Sequence, residues 1–276
     1  MTFSLVEMVA VRDFMLGVIG AGSMGSAILQ GALDAGVMLP EQVWLANPHP
    51  EKMTPFGEKG VHTTTSNLEA VRNVDILLLA VKPQILPGVL EEIRPETAGK
   101  CVISIAAGVS RSWLEQQLPG AWVICVMPNT PLVLGCGASA VTERGNVPED
   151  YYDFALRLFS AAGLVTQLPA DRMNEIIPVS GSSPAFFFRM VSLMVQAAEK
   201  QGIDPETALQ MAAKTMEGSA RMLLESGRTA AELERQVCSP GGTTLAGLTA
   251  FDELGFDRMI DLAFDRCVRR AYELGK

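Results

Sequence analysis

Met15-Leu16-Gly17-Val18-Ile19-Gly20-Ala21-Gly22-Ser23-Met24-Gly25 is the stretch on which the fold turns. Its first five residues form a short apolar run, and the next six fit G-x-G-x-x-G. Residues 23–35 then have the composition of a helix. Alone the glycine pattern is weak, because 25 glycines make chance matches easy. Its place between a strand and a helix gives it meaning. Gly20 allows a tight turn, Gly22 lets the backbone approach a pyrophosphate, and Gly25 permits close helix–strand packing. Ala21, Ser23 and Met24 complete a loop that leads into a helix N-terminus, where free amides and the helix dipole favour phosphate. The competing reading is a glycine-rich turn with no ligand.

Downstream, short runs that are apolar on both faces recur. They are Val43-Trp44-Leu45-Ala46, Asp75-Ile76-Leu77-Leu78-Leu79-Ala80-Val81, Cys101-Val102-Ile103-Ser104-Ile105, Trp122-Val123-Ile124-Cys125-Val126 and Ala138-Ser139-Ala140-Val141. Strands of a parallel sheet covered on both sides by helices have this pattern. Alternation with helical stretches predicts an α/β fold, an N-terminal doubly wound Rossmann domain.

From about Met173 the pattern changes to long helices. Ser183-Pro184 reads as the cap and start of a helix reaching about Gln201, with Gly202 beyond it. Asp204-Pro205 starts another that runs to about Ser226, and Thr229-Ala230-Ala231-Glu232 is a capping box. A glycine-rich loop over 239–244 leads into two further helical segments. The expected division is a dinucleotide-binding domain over 14–172 and an all-helical C-terminal domain over 173–276, for substrate binding and oligomerisation.

Composition narrows the function. At 276 residues the chain suits two domains, and a net charge of -9 without basic clusters excludes a nucleic-acid partner. Hydrophobic residues make up 48%, which is rich for a monomer and points to a buried oligomer interface. No apolar run reaches the roughly 18 residues that span a bilayer, so no membrane partner is expected. The stretch before Phe14 carries Glu7, Arg12 and Asp13 and reads as a short extension rather than a signal peptide. Five cysteines without CxxC spacing and only His49 and His62 leave no zinc site, so no metal is expected. Scattered thiols in apolar neighbourhoods read as buried and reduced, which suggests the cytoplasm.

The second strand ends at Ala46-Asn47-Pro48-His49, where NAD-specific sites place a carboxylate on the ribose 2′-hydroxyl. Asn47 is uncharged, and with His49 and Lys52 it can contact a phosphate; an exposed Asn-Pro turn is the plainer alternative. The cofactor expected is NADPH, with NADH open.

Five more segments belong together: Ala80-Val81-Lys82-Pro83-Gln84, Ser104-Ile105-Ala106-Ala107-Gly108-Val109, Met127-Pro128-Asn129-Thr130-Pro131, Ser180-Gly181-Ser182-Ser183-Pro184 and Ser239-Pro240-Gly241-Gly242-Thr243-Thr244. In this order, after the glycine loop, they resemble the pyrroline-5-carboxylate reductase family over nearly everything from Phe14 on. The last segment is the most specific. The resemblance implies reduction of the cyclic imine 1-pyrroline-5-carboxylate to L-proline by NAD(P)H, the final step of proline synthesis.

It also implies residue roles. Asn67, Ala80, Lys82, Ala107 and Gly108 match cofactor positions, and Asn129 follows a strand end facing the ligand crevice. Ser239, Gly241, Gly242, Thr243 and Thr244 would hold the substrate, with bare glycine amides for its carboxylate and the Thr244 hydroxyl for its imine nitrogen. Ser180 and Ser182 are further substrate contacts, although Ser183 stands where the family usually has glycine. A glycine-rich helix cap is the alternative for the 239–244 loop. The Met-rich helices, with Met190, Met194, Met211, Met216 and Met222, fit core or dimer surface better than a ligand box.

Two other classes compete. β-Hydroxyacid dehydrogenases share a glycine turn of this type but need a lysine early in the second domain, and none stands between Pro184 and Ala198. A non-catalytic NAD(P)H-sensing module would leave the 239–244 loop without a purpose.

Overall fold

The computed structural model describes residues 14–275. The extension expected ahead of Phe14 lies outside the described residues.

The chain opens as β1 (Leu16–Ile19), α1 (Ser23–Asp34), β2 (Val43–Ala46), α2 (Thr54–Gly57), β3 (His62–Thr64), α3 (Asn67–Arg72), β4 (Ile76–Leu79) and α4 (Leu86–Ile93). It continues through β5 (Cys101–Ser104), α5 (Arg111–Gln117), β6 (Trp122–Met127), β7 (Gly137–Thr142), α6 (Glu149–Ser160) and β8 (Gly163–Leu168). The strands form one sheet in the order β3-β2-β1-β4-β5-β6-β7-β8. Chain direction is shared from β3 to β6, whereas β7 pairs antiparallel to β6 and β8 runs parallel to β7.

Side-chain alternation divides the core into two layers. Leu16, Val18, Ile76, Leu78 and Ile103 face Ile28 and Leu29 of α1 and Phe154, Leu158 and Phe159 of α6. Ile19, Leu77, Leu79 and Val102 face Val71 of α3, Leu86 and Leu90 of α4, and Leu114 of α5. Both sides of each central strand are therefore buried, which is why these runs carry no polar alternation. Burying each such leucine or isoleucine contributes about 1.5–3 kcal/mol.

Two expectations need correction, and two strands carry no apolar run to announce them. The Ala138–Val141 run is a strand that pairs antiparallel with β6 and parallel only with β8: the Asn129 side-chain carbonyl accepts the Ala138 amide at 2.9 Å where the chain folds β7 back on β6. β3 and β8 are the two strands without an apolar run: they flank the sheet at its ends, and about half or more of their side chains are exposed. Of the cysteines, Cys101 and Cys125 are buried, Cys238 and Cys267 are partly exposed and Cys136 is exposed, so the expectation of buried thiols holds only in part.

The remaining helices are α7 (Ser183–Lys200), α8 (Pro205–Glu225), α9 (Ala230–Val237), α10 (Thr243–Glu253) and α11 (Phe256–Leu274). Asp204 caps α8 by accepting the Thr207 amide, and Thr229 with Glu232 forms the expected capping box on α9. Ser183 does not cap α7. It lies inside the helix, Ser182 takes the cap position without a side-chain bond, and a π-helical turn over Ile177–Gly181 precedes it. Among the described residues no helix is long and apolar enough to cross a membrane.

Two compact units result. One holds the sheet, through Gly181, together with the chain from Cys267 onward; the other is Ser182–Arg266. In the helical unit α7 packs on α8, yet Phe188 (68% exposed), Leu193, Met211 and Leu224 (78%) stay exposed. Apolar side chains this numerous on helices mark a surface that another chain covers.

Candidate active site

Parallel strands place all their C-terminal ends on one edge, and strand order reverses between β1 and β4. That reversal opens the crevice in which such sheets bind ligands. The loop after β1 sits at its centre. Gly20 takes φ +111, and a Cβ there would lie 2.6 Å from the Ala80 carbonyl oxygen. A Cβ on Gly25 would collide with the Gly20 carbonyl oxygen and lie 2.8 Å from the Ala80 methyl. Gly22 is different. It is exposed and has no atom within 4 Å of where a Cβ would stand.

Gly22 is also the N-cap of α1 and has no side chain to accept its first amides. The amides of Ser23, Met24 and Gly25 precede the first intrahelical bond, from Ser26 to the Gly22 carbonyl at 2.9 Å. An open cradle of uncapped amides fits a pyrophosphate. Ala21 is buried below it, and Ser23 stands exposed at its mouth.

On the β2 side, the Asn47 side-chain carbonyl accepts the His49 amide at 3.0 Å and closes the turn. His49 Nδ1 lies 3.5 Å from Glu51 Oε1. His49 and Lys52 are exposed, and Asn47 is buried. The residue directly after β2 is thus an uncharged asparagine, and the turn's one carboxylate, Glu51, lies beside His49. Asn67 opens α3 beside Ser66, and its amide nitrogen donates to Glu92 at 2.8 Å, an engagement the sequence did not reveal.

Beyond the switch, Ala80 backs the glycine loop and the Lys82 side chain is exposed. The turn after β5 is held at both ends. The Ala106 amide donates to Ser104 Oγ at 3.3 Å, and Gly108 adopts φ +77 against the end of α11. Ala107 lies half-buried between them. Asn129 is buried, with its carbonyl occupied by Ala138, which gives it a structural role in the β6–β7 turn.

In the helical unit the Gly242 amide donates to the Ser239 carbonyl at 2.9 Å, which closes a turn with Pro240 and Gly241 at its corners. Gly241 takes φ +69, which suits glycine at the third position of a type II turn. Gly242 then caps α10 without a side-chain bond, as Gly22 does for α1. By contrast α3, α5, α8 and α9 begin on Ser66, Ser110, Asp204 and Thr229, each accepting an amide of its own first turn. The amides of Thr243, Thr244 and Leu245 are thus open to an anion, with the Thr243 and Thr244 hydroxyls on the same turn. Ser239 Oγ lies over Gly242, too close for any Cβ there. Ser180 instead donates to the Ile176 carbonyl at 3.4 Å within the π-helical turn, and Ser182 caps α7.

Comparison with known proteins agrees with both halves. Residues 15–108 match the family model described as NADP oxidoreductase coenzyme F420-dependent, and 170–274 match that described as pyrroline-5-carboxylate reductase dimerisation. The pyrroline-5-carboxylate reductase of Methanosarcina acetivorans is 40% identical over 95% of this chain and 98% of its own. The chain belongs to the pyrroline-5-carboxylate reductase family. A crystal structure of a Coxiella burnetii pyrroline-5-carboxylate reductase superposes with a TM-score of 0.89 at 32% identity, covering 96% of this chain and all (100%) of its own. The Plasmodium falciparum pyrroline carboxylate reductase, solved with NADP bound, gives 0.88 at 27% identity over 97% and 100%. As a pyrroline-5-carboxylate reductase the chain is an NADP-type oxidoreductase, and its helical part matches the family's dimerisation domain.

Sequence reasoning missed one pair altogether. The Tyr272 hydroxyl donates to Glu175 Oε1 at 2.8 Å across 97 residues, and neither residue belongs to any motif.

Proposed function

We infer that this chain reduces 1-pyrroline-5-carboxylate to L-proline with NADPH, working as a homo-oligomer in the cytoplasm. The observation that carries the reading is the pair of glycine-capped helix starts, α1 and α10, in a member of this family. Each offers uncapped amides to one anionic ligand, the first to a dinucleotide and the second to a carboxylate. Five unpaired cysteines fit a reducing compartment.

When bound, the nicotinamide supplies a hydride to the imine carbon. The protein's part is to place that carbon and make it electrophilic. Gly20, Ala21, Gly22, Ser23 and Met24 seat the pyrophosphate. Asn47 and His49 lie towards the adenosine ribose, while Ala80, Lys82, Ala107 and Gly108 line the opposite half of the crevice. Ser239, Gly241 and Gly242 hold the substrate carboxylate, and Thr244 hydrogen-bonds the imine nitrogen beside Thr243. We assign Ser180 and Ser182 to the segment leading into α7, and we place Asn67 and Asn129 at the cofactor's margin, where their amides are already engaged. The dinucleotide-binding role falls to residues 14–172 and the substrate and assembly roles to 173–276.

A steady-state assay with racemic pyrroline-5-carboxylate and each of NADPH and NADH tests this. Imine-dependent NADPH oxidation yielding proline is expected. NADPH oxidation with a supplied 3-oxo acid but not with the imine, or cofactor binding without turnover, overturns it. Light scattering completes the test: an active monomer at micromolar concentration excludes the homo-oligomer.

A further inference from the structure

The end of α11 is docked on the turn after β5. Ala271 is buried, at 4% exposure, and its carbonyl oxygen lies 2.8 Å from where a Cβ on Gly108 would stand. Leu274 Cβ approaches the same point at 3.3 Å, and a Cβ on Gly275 would overlap the Gly108 carbonyl oxygen. One residue from Ala271, the Tyr272 hydroxyl donates to Glu175 Oε1 at 2.8 Å. The hydrogen bond to the Glu175 carboxylate holds the phenol's pKa above its ordinary value. Glu175 Oε2 is buried with no hydrogen-bond partner among the described residues. A carboxylate half-satisfied in this way is costly to keep. Among the described residues the one hydrogen bond its carboxylate makes is to Tyr272. All of these residues lie in the sheet unit.

Sheet order decides which part of the cofactor this affects. The residue after β2 meets the adenosine ribose, and β5 lies on the other side of the switch between β1 and β4. The turn Ala106-Ala107-Gly108 therefore borders the nicotinamide half. We propose that Tyr272 and Glu175 are positioning residues that lock the last turn of α11 against this turn and so fix the nicotinamide half of the cofactor cradle. The inference rests on the reading of that turn as a cofactor contact.

Tyr272→Phe removes the hydroxyl and keeps the ring. Glu175→Gln keeps an acceptor, and Glu175→Ala does not. Calorimetry on the full chain should compare NADPH with adenosine 2′,5′-bisphosphate, which carries only the adenosine half. Tyr272→Phe and Glu175→Ala are each expected to weaken NADPH by roughly three- to tenfold, the scale of one hydrogen bond. The bisphosphate should change by less than about twofold, Glu175→Gln should stay near wild type, and the double variant should be no worse than either single one. Equal weakening of both ligands means general destabilisation and overturns the inference alone, as does no change in either. If the wild-type protein binds the bisphosphate and not NADPH, the cofactor reading of the turn falls, and this inference with it.

Discussion

Gly20 and Ala80 meet across the switch point of the sheet: a Cβ on Gly20 would lie 2.6 Å from the Ala80 carbonyl oxygen. The phosphate loop is thus seated on the end of β4, and each glycine in it answers a different constraint. Gly20→Ala combines that clash with φ +111, and Gly25→Ala meets the Gly20 backbone. Both should lower the melting temperature, since strain of about 1–3 kcal/mol at one residue shifts it by several degrees. Gly22→Ala meets nothing within 4 Å and has an ordinary extended backbone, so the fold should be unaffected. Its methyl would instead occupy the cradle and weaken NADPH at least about tenfold. Melting curves and NADPH titrations of the three variants distinguish these roles. A Gly22→Ala protein with native affinity removes the loop from phosphate binding.

Asn47 governs the second prediction. Its side-chain carbonyl already accepts the His49 amide, and an aspartate can accept the same bond, so Asn47→Asp should fold normally. The added charge would repel a 2′-phosphate and favour a ribose hydroxyl. The wild type should use NADPH at least as well as NADH, and the variant should lose about tenfold in kcat/KM with NADPH, or 1.4 kcal/mol. Unchanged cofactor preference in Asn47→Asp would mean that this turn does not read the ribose.

Legibility of the fold followed the range of the interactions involved. The β1 loop and the buried strands were readable because their signal is local: apolar runs, glycine spacing and a helix start. The direction of β7 was not, since it depends on Asn129 reaching Ala138 and not on the strand's own residues. Ser183 looked like a cap, but the π-helical turn before α7 moves that position to Ser182. At the site, bare Gly22 and Gly242 were legible as uncapped helix starts. The pairing of Asn67 with Glu92 and of Tyr272 with Glu175 joins residues 25 and 97 positions apart, and no local pattern records them.

The third prediction concerns the thiols. Burial pushes Cys101 and Cys125 from an ordinary 9.0 up to about 12, against a smaller opposing effect of Arg111. Well below pH 9 both thiols are neutral in either state. Between 9 and 12 the unfolded chain releases these protons and the folded one keeps them, so stability falls as pH rises. The slope is at most about 1.4 kcal/mol per pH unit for each thiol. The melting temperature of Cys125→Ala should fall less steeply over this interval than that of the wild type. At pH 8, iodoacetamide should label exposed Cys136 and spare Cys101 and Cys125 until the protein unfolds. Early labelling of Cys125 would contradict its burial.

Thr244 carries the mechanistic prediction. It stands in the first turn of α10, half-buried, beside amides that Gly242 leaves uncapped. Ser239 Oγ lies over Gly242, which leaves Thr243 as the nearest alternative donor on the helix start. Hydride transfer needs the ring nitrogen protonated or hydrogen-bonded, so losing the hydroxyl should slow turnover more than it weakens binding. A neutral hydrogen bond contributes about 0.5–1.5 kcal/mol, and one to a charged partner somewhat more. Thr244→Ala is therefore expected to reduce efficiency with pyrroline-5-carboxylate by roughly ten- to a hundredfold. The loss stays incomplete because carboxylate binding and proximity remain. NADPH affinity should stay nearly unchanged, which separates this effect from damage to the dinucleotide unit. Thr244→Ser keeps the hydroxyl and should retain most activity, whereas Thr243→Ala should cost less than Thr244→Ala. Equal rates for the wild type and Thr244→Ala would remove Thr244 from the chemistry, and the imine would then have to arrive already protonated from solution.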